Sequence, residues 1–380
     1  MLFAFKFKYY IGKGYKSRLV QLARIGLQMP FLKVISRFID LITRDISSSK
    51  VSYKQINFTH KKRMRSTMPA NASQIILHNY PQSPVAEKIR VALGIKELTW
   101  YNVEIPRLPP KPFLTALTGG YRRTPVMQIG ADIYCDSHCI IRELEKRYPS
   151  PTFMPSADTG LMWCLSRWTD GELFSLGVKI VLGAAGDNLP EDFAKDRGLL
   201  YLGADWAERL KQANAQLPHL VSQLRAPLSW LNDSLGDGRR FLLGAEPAAI
   251  DAQFYHVVWF IRGRWDKGPS FLSEFTHLER WEKSISAIGH GSCTALAPED
   301  ALALALNSES TTVRQVASND PQGLKVGTTV SIGPDVESGE QRVEGTVRSA
   351  DVNTISIERT TNESGTVCVH FPRTGYRVEV

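Results

Sequence analysis

The sequence predicts an α/β domain, then an all-α helical bundle, then a small all-β module. Between residues 68 and 150, short apolar stretches alternate with runs that can form helices. Between residues 156 and 292, apolar residues recur at helical spacing, most clearly over 204–235. From residue 323 to 380 the apolar residues alternate with polar ones, which is the period of a strand.

The first strand and the helix after it enclose a polar turn. An apolar stretch at residues 75–77 is followed by the turn 78–82. Ser83 is a good N-cap, and Pro84 suits the first helical position because its missing N–H would have no partner there. Gly94 is the expected end of the helix. A hydroxyl at this N-cap points to where free amides favour an anion such as a thiolate, although Ser83 also fits a purely capping role.

A turn with proline leads into the next predicted hairpin. Thr124, Pro125 and Val126 precede an apolar strand, and Pro125 belongs at the first residue or the edge of a strand because it cannot donate to the ladder. If the Thr124–Pro125 peptide is cis, Val126 can present its amide and carbonyl to an extended peptide. An ordinary trans turn is the alternative.

A third segment opens another helix. Asp136 and Ser137 are ordinary N-terminal residues for the helix that we expect over 140–148. The three segments in this order resemble the glutathione transferase family, and the resemblance covers residues 73 to about 289. Residues 80–93 are similar to the serine-type members, in which a Ser-Pro pair opens the first helix.

The resemblance implies a thioredoxin-like first domain that binds glutathione as a co-substrate. It implies that Val126, beside a cis Pro125, pairs with the cysteinyl backbone of glutathione. It also implies that Asp136 and Ser137 hold the γ-glutamyl end, and that Arg123 lies where a basic residue often meets the glycine carboxylate. The glutathione-binding residues implied together are Arg123, Thr124, Pro125, Val126, Asp136 and Ser137.

By the same resemblance, the catalytic residue is Ser83. Tyrosine-type relatives place their hydroxyl one residue before Tyr80, which ranks below Ser83 as an alternative. Cysteine-type relatives, which carry out thiol-disulfide exchange, have a cysteine at the Ser83 position. Residues 73–123 contain no cysteine, which excludes redox chemistry by a protein thiol at that site.

The function predicted by the resemblance is a detoxifying glutathione transferase, in which the activated thiol attacks an electrophilic small molecule. A glutathione-dependent isomerase, dehalogenase or ether-cleaving enzyme is the first alternative, and a non-catalytic glutathione-binding module is the second. A homodimer is expected from the family. The acceptor pocket is not predicted in detail, and its candidate residues are Trp163, Tyr201, Trp206, Trp259, Arg262 and Arg264.

The cysteines indicate a reducing compartment and no metal site. The chain has five cysteines, and this odd number predicts reduced thiols in the cytoplasm. Cys135 and Cys139 flank His138, but this pattern has no second pair of ligands.

The basic charge belongs to an N-terminal extension. Residues 1–67 contain 15 Lys and Arg residues against 2 acidic residues, a net of +13 in a chain whose total is +8, which leaves −5 for the other 313 residues. The extension is expected to be disordered or partly helical, with a basic amphipathic helix over 31–42, and it lacks the ~18 apolar residues of a membrane span. It is either an organelle-targeting segment or, as we prefer, a reading frame that truly starts at Met68. The mildly acidic remainder predicts no nucleic-acid partner.

Beyond the bundle, residues 293–322 are expected to form a helix and a linker. Five short strands over 323–380 then indicate a small β-barrel-like module or a small sandwich, in which we find no chemistry. His370, between apolar strand residues, is expected to face solvent or to be structural. In the bundle, Asp251 predicts half of a capping box, since Ala248 stands where a serine or threonine is usual.

Overall fold

The computed structural model describes residues 73–155, 157–336 and 338–380. The basic extension and its predicted helix over 31–42 lie outside these residues. No helix in the described part of the chain has the length and apolar character needed to cross a membrane.

The first domain has a thioredoxin-like arrangement, as predicted. Strand β1 pairs in parallel with β2 and antiparallel with β3, and β3 pairs antiparallel with β4. The helices begin close to the predicted positions, because their N-caps are local signals. The elements are β1 (Ile75–Asn79), α1 (Pro84–Ile95), β2 (Thr99–Glu104), α2 (Pro112–Thr118), β3 (Val126–Ile129), β4 (Asp132–Cys135) and α3 (Ser137–Arg147).

The second domain is helical, as predicted, and is built around a buried helix. The elements are α4 (Thr159–Trp168), a π-helix (Thr169–Leu173), α5 (Phe174–Ala185), α6 (Glu191–Leu202), α7 (Trp206–Ala215), α8 (Leu217–Ser234), α9 (Ala249–Arg264), α10 (Gly268–Leu272) and α11 (Thr276–Ile288). At the start of α9, the Asp251 carboxylate accepts hydrogen bonds from the Ala248 N–H at 2.8 Å and the Leu242 N–H at 2.9 Å. Asp251 therefore caps α9 without a serine or threonine at the N-cap.

The C-terminal strands differ from the separate small barrel or sandwich that the sequence predicted. They form an open sheet, and β10 pairs in parallel with β4 of the first domain. Among the described residues, one sheet therefore runs in the order β11, β7, β8, β9, β10, β4, β3, β1, β2, β5, while β6 pairs with β8. The elements are β5 (Ser292–Ala295), α12 (Pro298–Leu306), β6 (Gln315–Val316), β7 (Thr329–Pro334), β8 (Val343–Ala350), β9 (Thr354–Thr361), β10 (Gly365–Pro372) and β11 (Tyr376–Glu379).

The two faces of the sheet contribute to two hydrophobic cores. Successive residues of β1 point to opposite faces of the sheet. Ile75 and Leu77 therefore pack on one face, in a core that they share with buried residues of the helical domain. Ile76 packs in a second core with residues of α2, α12 and the C-terminal strands. The C-terminal strands thus share a core with the first domain rather than forming a separate module.

A buried ion pair links helix α1 of the first domain to the helical second domain. The Lys88 Nζ of α1 lies 2.6 and 2.7 Å from the two carboxylate oxygens of Asp170 in the π-helix. The His138 Nε2 of α3 lies 3.0 Å from the same carboxylate and 2.9 Å from the Ser166 hydroxyl. The Lys88 side chain has no exposed surface, so Asp170 supplies its counter-charge inside the protein.

Candidate active site

The sheet brings the three predicted segments to one edge. The carboxyl end of β1 lies beside the first residue of β3, because His78 is the register partner of Val126. The carboxyl end of β4 lies beside the same residue, because Val126 is also the partner of Cys135. Ser83 follows the end of β1, and Asp136 follows the end of β4. Both residues therefore lie just beyond the edge of the sheet at which β3 begins with Val126.

Ser83 caps α1 and is 2% exposed. Its backbone is extended, and its Oγ accepts a hydrogen bond from the Ala86 N–H at 3.2 Å. A hydroxyl has one proton and two acceptor lone pairs, so capping leaves the proton available. Across residues 73–155, 157–336 and 338–380, no acceptor engages that proton. The hydroxyl can therefore donate to an anion at the N-terminus of α1.

The Thr124–Pro125 peptide bond is cis, as the resemblance implied. Val126 follows as the first residue of β3 and is fully buried. The Lys111 Nζ lies 3.0 Å from the Arg122 carbonyl oxygen and 3.4 Å from the Thr124 Oγ1. Burial and the nearby Arg197 and Arg122 charges lower the pKa of Lys111 to about 8.

Asp136 is the N-cap residue of α3 and has a positive φ of 73°. One of its carboxylate oxygens accepts a 2.8 Å hydrogen bond from the His138 N–H. Its other oxygen accepts a 3.0 Å hydrogen bond from the Tyr376 hydroxyl of β11. The Tyr376 hydroxyl also lies 3.0 Å from that of Tyr121. Burial and the Asp136 charge raise the pKa of Tyr376 well above its usual value, which keeps it a neutral donor. The adjacent Ser137 is 4% exposed.

Arg123 forms an ion pair with Glu340, which lies between β7 and β8. The Arg123 Nε lies 3.1 and 2.8 Å from the two Glu340 carboxylate oxygens, and its Nη2 lies 2.5 Å from one of them. Burial opposes the charge of Arg123, but the hydrogen bonds and charge of Glu340 outweigh it and raise its pKa. The Glu340 carboxylate is thus already bound to the Arg123 guanidinium, which the resemblance assigned to the glycine carboxylate of glutathione.

The alternative hydroxyl, that of Tyr80, faces the helical domain. It lies 3.3 Å from the Nη2 of Arg197 in α6, and the same nitrogen donates to the Arg107 carbonyl oxygen at 2.5 Å. The structure therefore places Arg197, which the sequence did not single out, beside the Tyr80 hydroxyl.

Of the predicted acceptor-pocket residues, Arg262 forms an ion pair with Glu282, with its Nε 2.6 Å from a Glu282 carboxylate oxygen.

Within the part of the chain that the structure describes, one group of possible metal ligands is buried at the junction of β4 and β10. Ligand atoms of Asp132, Cys368 and His370 all lie within 4.8 Å of one another. The Asp132 carboxylate accepts hydrogen bonds from Ser310, from Thr311 and from Thr312, and lies 3.1 Å from the His370 Nε2. Its lone pairs are therefore occupied by protein donors, which indicates a structural role. His370 is 6% exposed, so the expectation that it faces solvent is wrong and the structural alternative holds.

The cysteines of the described residues are all free. Cys135 and Cys139 are buried, and burial raises the pKa of both thiols well above the usual value. Neither is suited to act as a nucleophile, because the reactive form is the thiolate.

Sequence reasoning missed Glu340 and Tyr376, C-terminal side chains that contact the predicted site residues Arg123 and Asp136. One signal was present in β10, whose sequence from Val367 to Phe371 is nearly continuously apolar. Such a run is typical of a strand buried on both faces inside a larger sheet. It indicates that β10 has a neighbour on each side, but it does not identify β4 as that neighbour.

Two family descriptions match the chain. The N-terminal domain of glutathione S-transferases matches residues 77–152, and the C-terminal domain matches residues 204–284. A comparison with curated proteins finds no match.

Solved structures give a longer match. A GST-like protein from Pseudomonas syringae is 36% identical, with 81% of this chain and 99% of that chain covered and a TM-score of 0.64. The beta-etherase LigF from Sphingobium sp. strain SYK-6 is 12% identical over 57% of this chain and 98% of its own, with a TM-score of 0.43. A maleylacetoacetate isomerase from Anaeromyxobacter dehalogenans 2CP-1, with dicarboxyethyl glutathione and citrate in its active site, is 18% identical over 57% of this chain and 90% of its own, with a TM-score of 0.38. From the two domain matches and the Pseudomonas syringae protein, we conclude that this chain belongs to the glutathione S-transferase family.

Proposed function

We propose that this protein is a glutathione transferase that activates the glutathione thiol with Ser83. The observation that carries the proposal is the Ser83 hydroxyl, which caps α1 and keeps a proton to donate at the edge where β1, β3 and β4 meet. The family supports glutathione as the co-substrate. The acceptor is an electrophilic small molecule.

The chemistry uses a hydrogen bond to sulfur. The Ser83 hydroxyl donates to the sulfur of bound glutathione, and the free amides of the first turn of α1 favour the same negative charge. A free thiol has a pKa of roughly 8.5, and such an environment lowers it. The thiol proton leaves to solvent, the thiolate forms a carbon–sulfur bond with the electrophile, and the leaving group departs. Binding both reactants in one site supplies much of the acceleration.

The rest of the proposed site orients the tripeptide. Val126, after the cis Pro125, pairs with the cysteinyl backbone, as a strand edge pairs with an extended peptide. Asp136 and Ser137 hold the γ-glutamyl end at the N-terminus of α3. Thr124 and Arg123 lie next to this strand edge, toward the glycine end.

The same thiolate also suits isomerisation, dehalogenation or ether cleavage, and product analysis separates these reactions. Incubation with glutathione and a panel of electrophiles, followed by mass spectrometry, should find a thioether that retains glutathione. Regeneration of free glutathione with a rearranged substrate would instead assign an isomerase. Binding of glutathione without turnover of any substrate would assign the non-catalytic module. The homodimer, the cytoplasmic location and the detoxifying role stay predictions.

The role of Asp136 can be tested by binding. We expect Asp136→Ala to weaken glutathione binding about 10- to 100-fold, because a hydrogen bond to a charged group contributes about 1.5–3 kcal/mol. Isothermal titration calorimetry gives the dissociation constant directly. Tyr376→Phe is the matched control, since it removes one hydrogen bond to the carboxylate but keeps the carboxylate itself. An unchanged dissociation constant in Asp136→Ala would remove this residue from the proposed site.

A further inference from the structure

The side of the proposed site that faces α6 carries more cations than carboxylates. Asp196 is shared by Arg122 at 2.7 Å and Arg197 at 2.5 Å, and Glu340 is bound to Arg123. The residues that the structure describes place no further carboxylate on this group of cations. The five cations are Arg107, Lys111, Arg122, Arg123 and Arg197, so the two carboxylates leave a surplus of three positive charges.

Glutathione accounts for only part of this surplus. Its glycine carboxylate, which the proposed function directs toward Arg123, adds one negative charge. The remaining cations are sheltered from water, since Lys111 is 6% exposed and Arg197 is 8% exposed. At pH 7 Lys111 is below its pKa of about 8 and still carries its charge. Because charge interactions are stronger away from water, this place favours a second anion.

Tyr80 and Lys111 each keep a proton that can be donated. The Arg197 Nη2 donates to the Tyr80 phenol oxygen at 3.3 Å, so the Tyr80 proton is not used in that contact. The Lys111 ammonium has three protons, and its contacts with the Arg122 carbonyl oxygen and the Thr124 Oγ1 use two of them. The Lys111 Nζ lies 5.6 Å from the centroid of the Tyr80 ring. A carboxylate has two oxygens and can therefore accept from both donors.

Tyr80 connects the proposed thiol position to the helical domain. The Ser83 N–H donates to the Tyr80 carbonyl oxygen at 3.1 Å, so the two residues close a single turn. The hydroxyl of Tyr80 meets Arg197, which belongs to α6. A group bound by this hydroxyl therefore lies between the turn that holds Ser83 and the helical domain.

The positive charge continues onto the helical domain together with aromatic surface. The guanidinium carbons of Arg107 and Arg197 lie 4.8 and 5.2 Å from the centroid of the Phe193 ring. Two of the predicted acceptor-pocket residues follow, since the Arg264 guanidinium lies 5.4 Å from the Trp259 ring centroid. Burial and the nearby Arg107 charge lower the pKa of Arg264. This surface therefore suits a molecule that has both an apolar part and a negative charge.

We propose that the electrophile carries an anionic group, such as a carboxylate, and that the Tyr80 hydroxyl binds this group within the positive charge of Lys111 and Arg197. This inference rests on the proposed function, because it concerns the second substrate of the same site. Tyr80 is then a specificity-determining residue that selects the electrophile, and Ser83 keeps the role of activating the thiol. An uncharged electrophile leaves the surplus charge unmatched and binds less tightly.

The test uses two stable thioethers as probes. S-benzylglutathione and S-(para-carboxybenzyl)glutathione share the tripeptide and the ring and differ by one carboxylate. Isothermal titration calorimetry measures their dissociation constants, with glutathione as the reference ligand. We expect the wild-type protein to bind the carboxylated thioether at least roughly tenfold more tightly than the uncharged one, because the carboxylate gains charge-assisted hydrogen bonds.

Two variants assign the effect to Tyr80. Tyr80→Phe removes only the hydroxyl, and we expect the preference to fall to roughly threefold or less while S-benzylglutathione binds as before. Lys195→Gln is the matched control, because it removes one positive charge from an exposed position on the same helix as Arg197. The control should keep the full preference for the carboxylated thioether.

The possible failures are distinguishable. A wild-type protein that binds both thioethers equally, or the uncharged one more tightly, would overturn the inference and leave the proposed function intact. An equal loss for both thioethers in Tyr80→Phe would also overturn it, since Tyr80 would then act on the shared tripeptide. Binding of neither glutathione nor either thioether would refute the proposed function itself, and this inference with it. The wild-type comparison needs no variant, so it decides the question even if Tyr80→Phe does not fold.

Discussion

We expect the Ser83→Ala protein to lose most of its glutathione-dependent turnover, roughly 100-fold or more, which is the usual cost of removing one hydrogen bond that stabilises an anion in an active site. Glutathione binding should stay nearly intact, because the contacts proposed for its two ends involve Asp136 and Arg123 rather than Ser83. Steady-state kinetics with one identified electrophile, combined with calorimetric binding, measure the two effects separately.

The control for this variant must separate catalysis from capping. Ser83→Ala also removes the side-chain acceptor of the Ala86 N–H, which costs about 1 kcal/mol of stability. Ser83→Asp keeps a good cap but, when ionised, has no proton to donate. Both variants should lose turnover, and a loss in Ser83→Asp, which keeps the side-chain cap, assigns the effect to the missing hydroxyl proton. Unchanged turnover in Ser83→Ala would move the activating role to Tyr80 or to the amides of α1.

The second large effect concerns stability. We expect Asp170→Ala to lower the free energy of unfolding by about 3–5 kcal/mol, because it leaves the ammonium of Lys88 buried without a counter-charge. Urea unfolding followed by far-ultraviolet circular dichroism measures the change. The control is Asp237→Ala, whose partner Arg239 is also on the surface, and we expect it to change stability little. A small loss in Asp170→Ala would mean that Lys88 reaches water or another acceptor.

The same carboxylate predicts a pH dependence. Burial works against the charged form of Asp170, but Lys88 and His138 outweigh it and lower its pKa. A folded-state pKa below the unfolded value of about 3.9 gives stability that is fully present above that value and is lost as the pH falls below it. The wild-type protein should therefore lose stability steeply on acidification. Asp170→Asn, in which this group no longer titrates, should show a shallower loss over the same pH range.

Much of the local structure around the proposed site was predictable from sequence because its signals are local. Ser83 and Pro84 define the start of α1 within two residues, and Asp136 does the same for α3. The alternation of residues in the C-terminal strands likewise predicted β7 to β11 from short segments. These signals depend on neighbours in sequence, so they are readable without knowing what packs against them.

The remaining features depend on pairing across long sequence separations. Periodicity predicts that β10 is a strand but not that it pairs with β4, and a barrel satisfies the same pattern as an open sheet. Arg123 and Glu340 are 217 residues apart, and Asp136 and Tyr376 are 240 apart. Both contacts follow from the β4–β10 pairing, so a sequence analysis that treated the C-terminal strands as a separate module could not find them.

The most direct test of the central claim is an ultraviolet difference titration of glutathione bound to the wild-type protein and to Ser83→Ala, following thiolate absorbance against pH. Activation by Ser83 predicts that the thiolate of bound glutathione forms well below the free thiol pKa of roughly 8.5, and that this shift is lost in Ser83→Ala. A bound thiol that titrates like free glutathione in the wild-type protein, or an equal shift in both proteins, would contradict it.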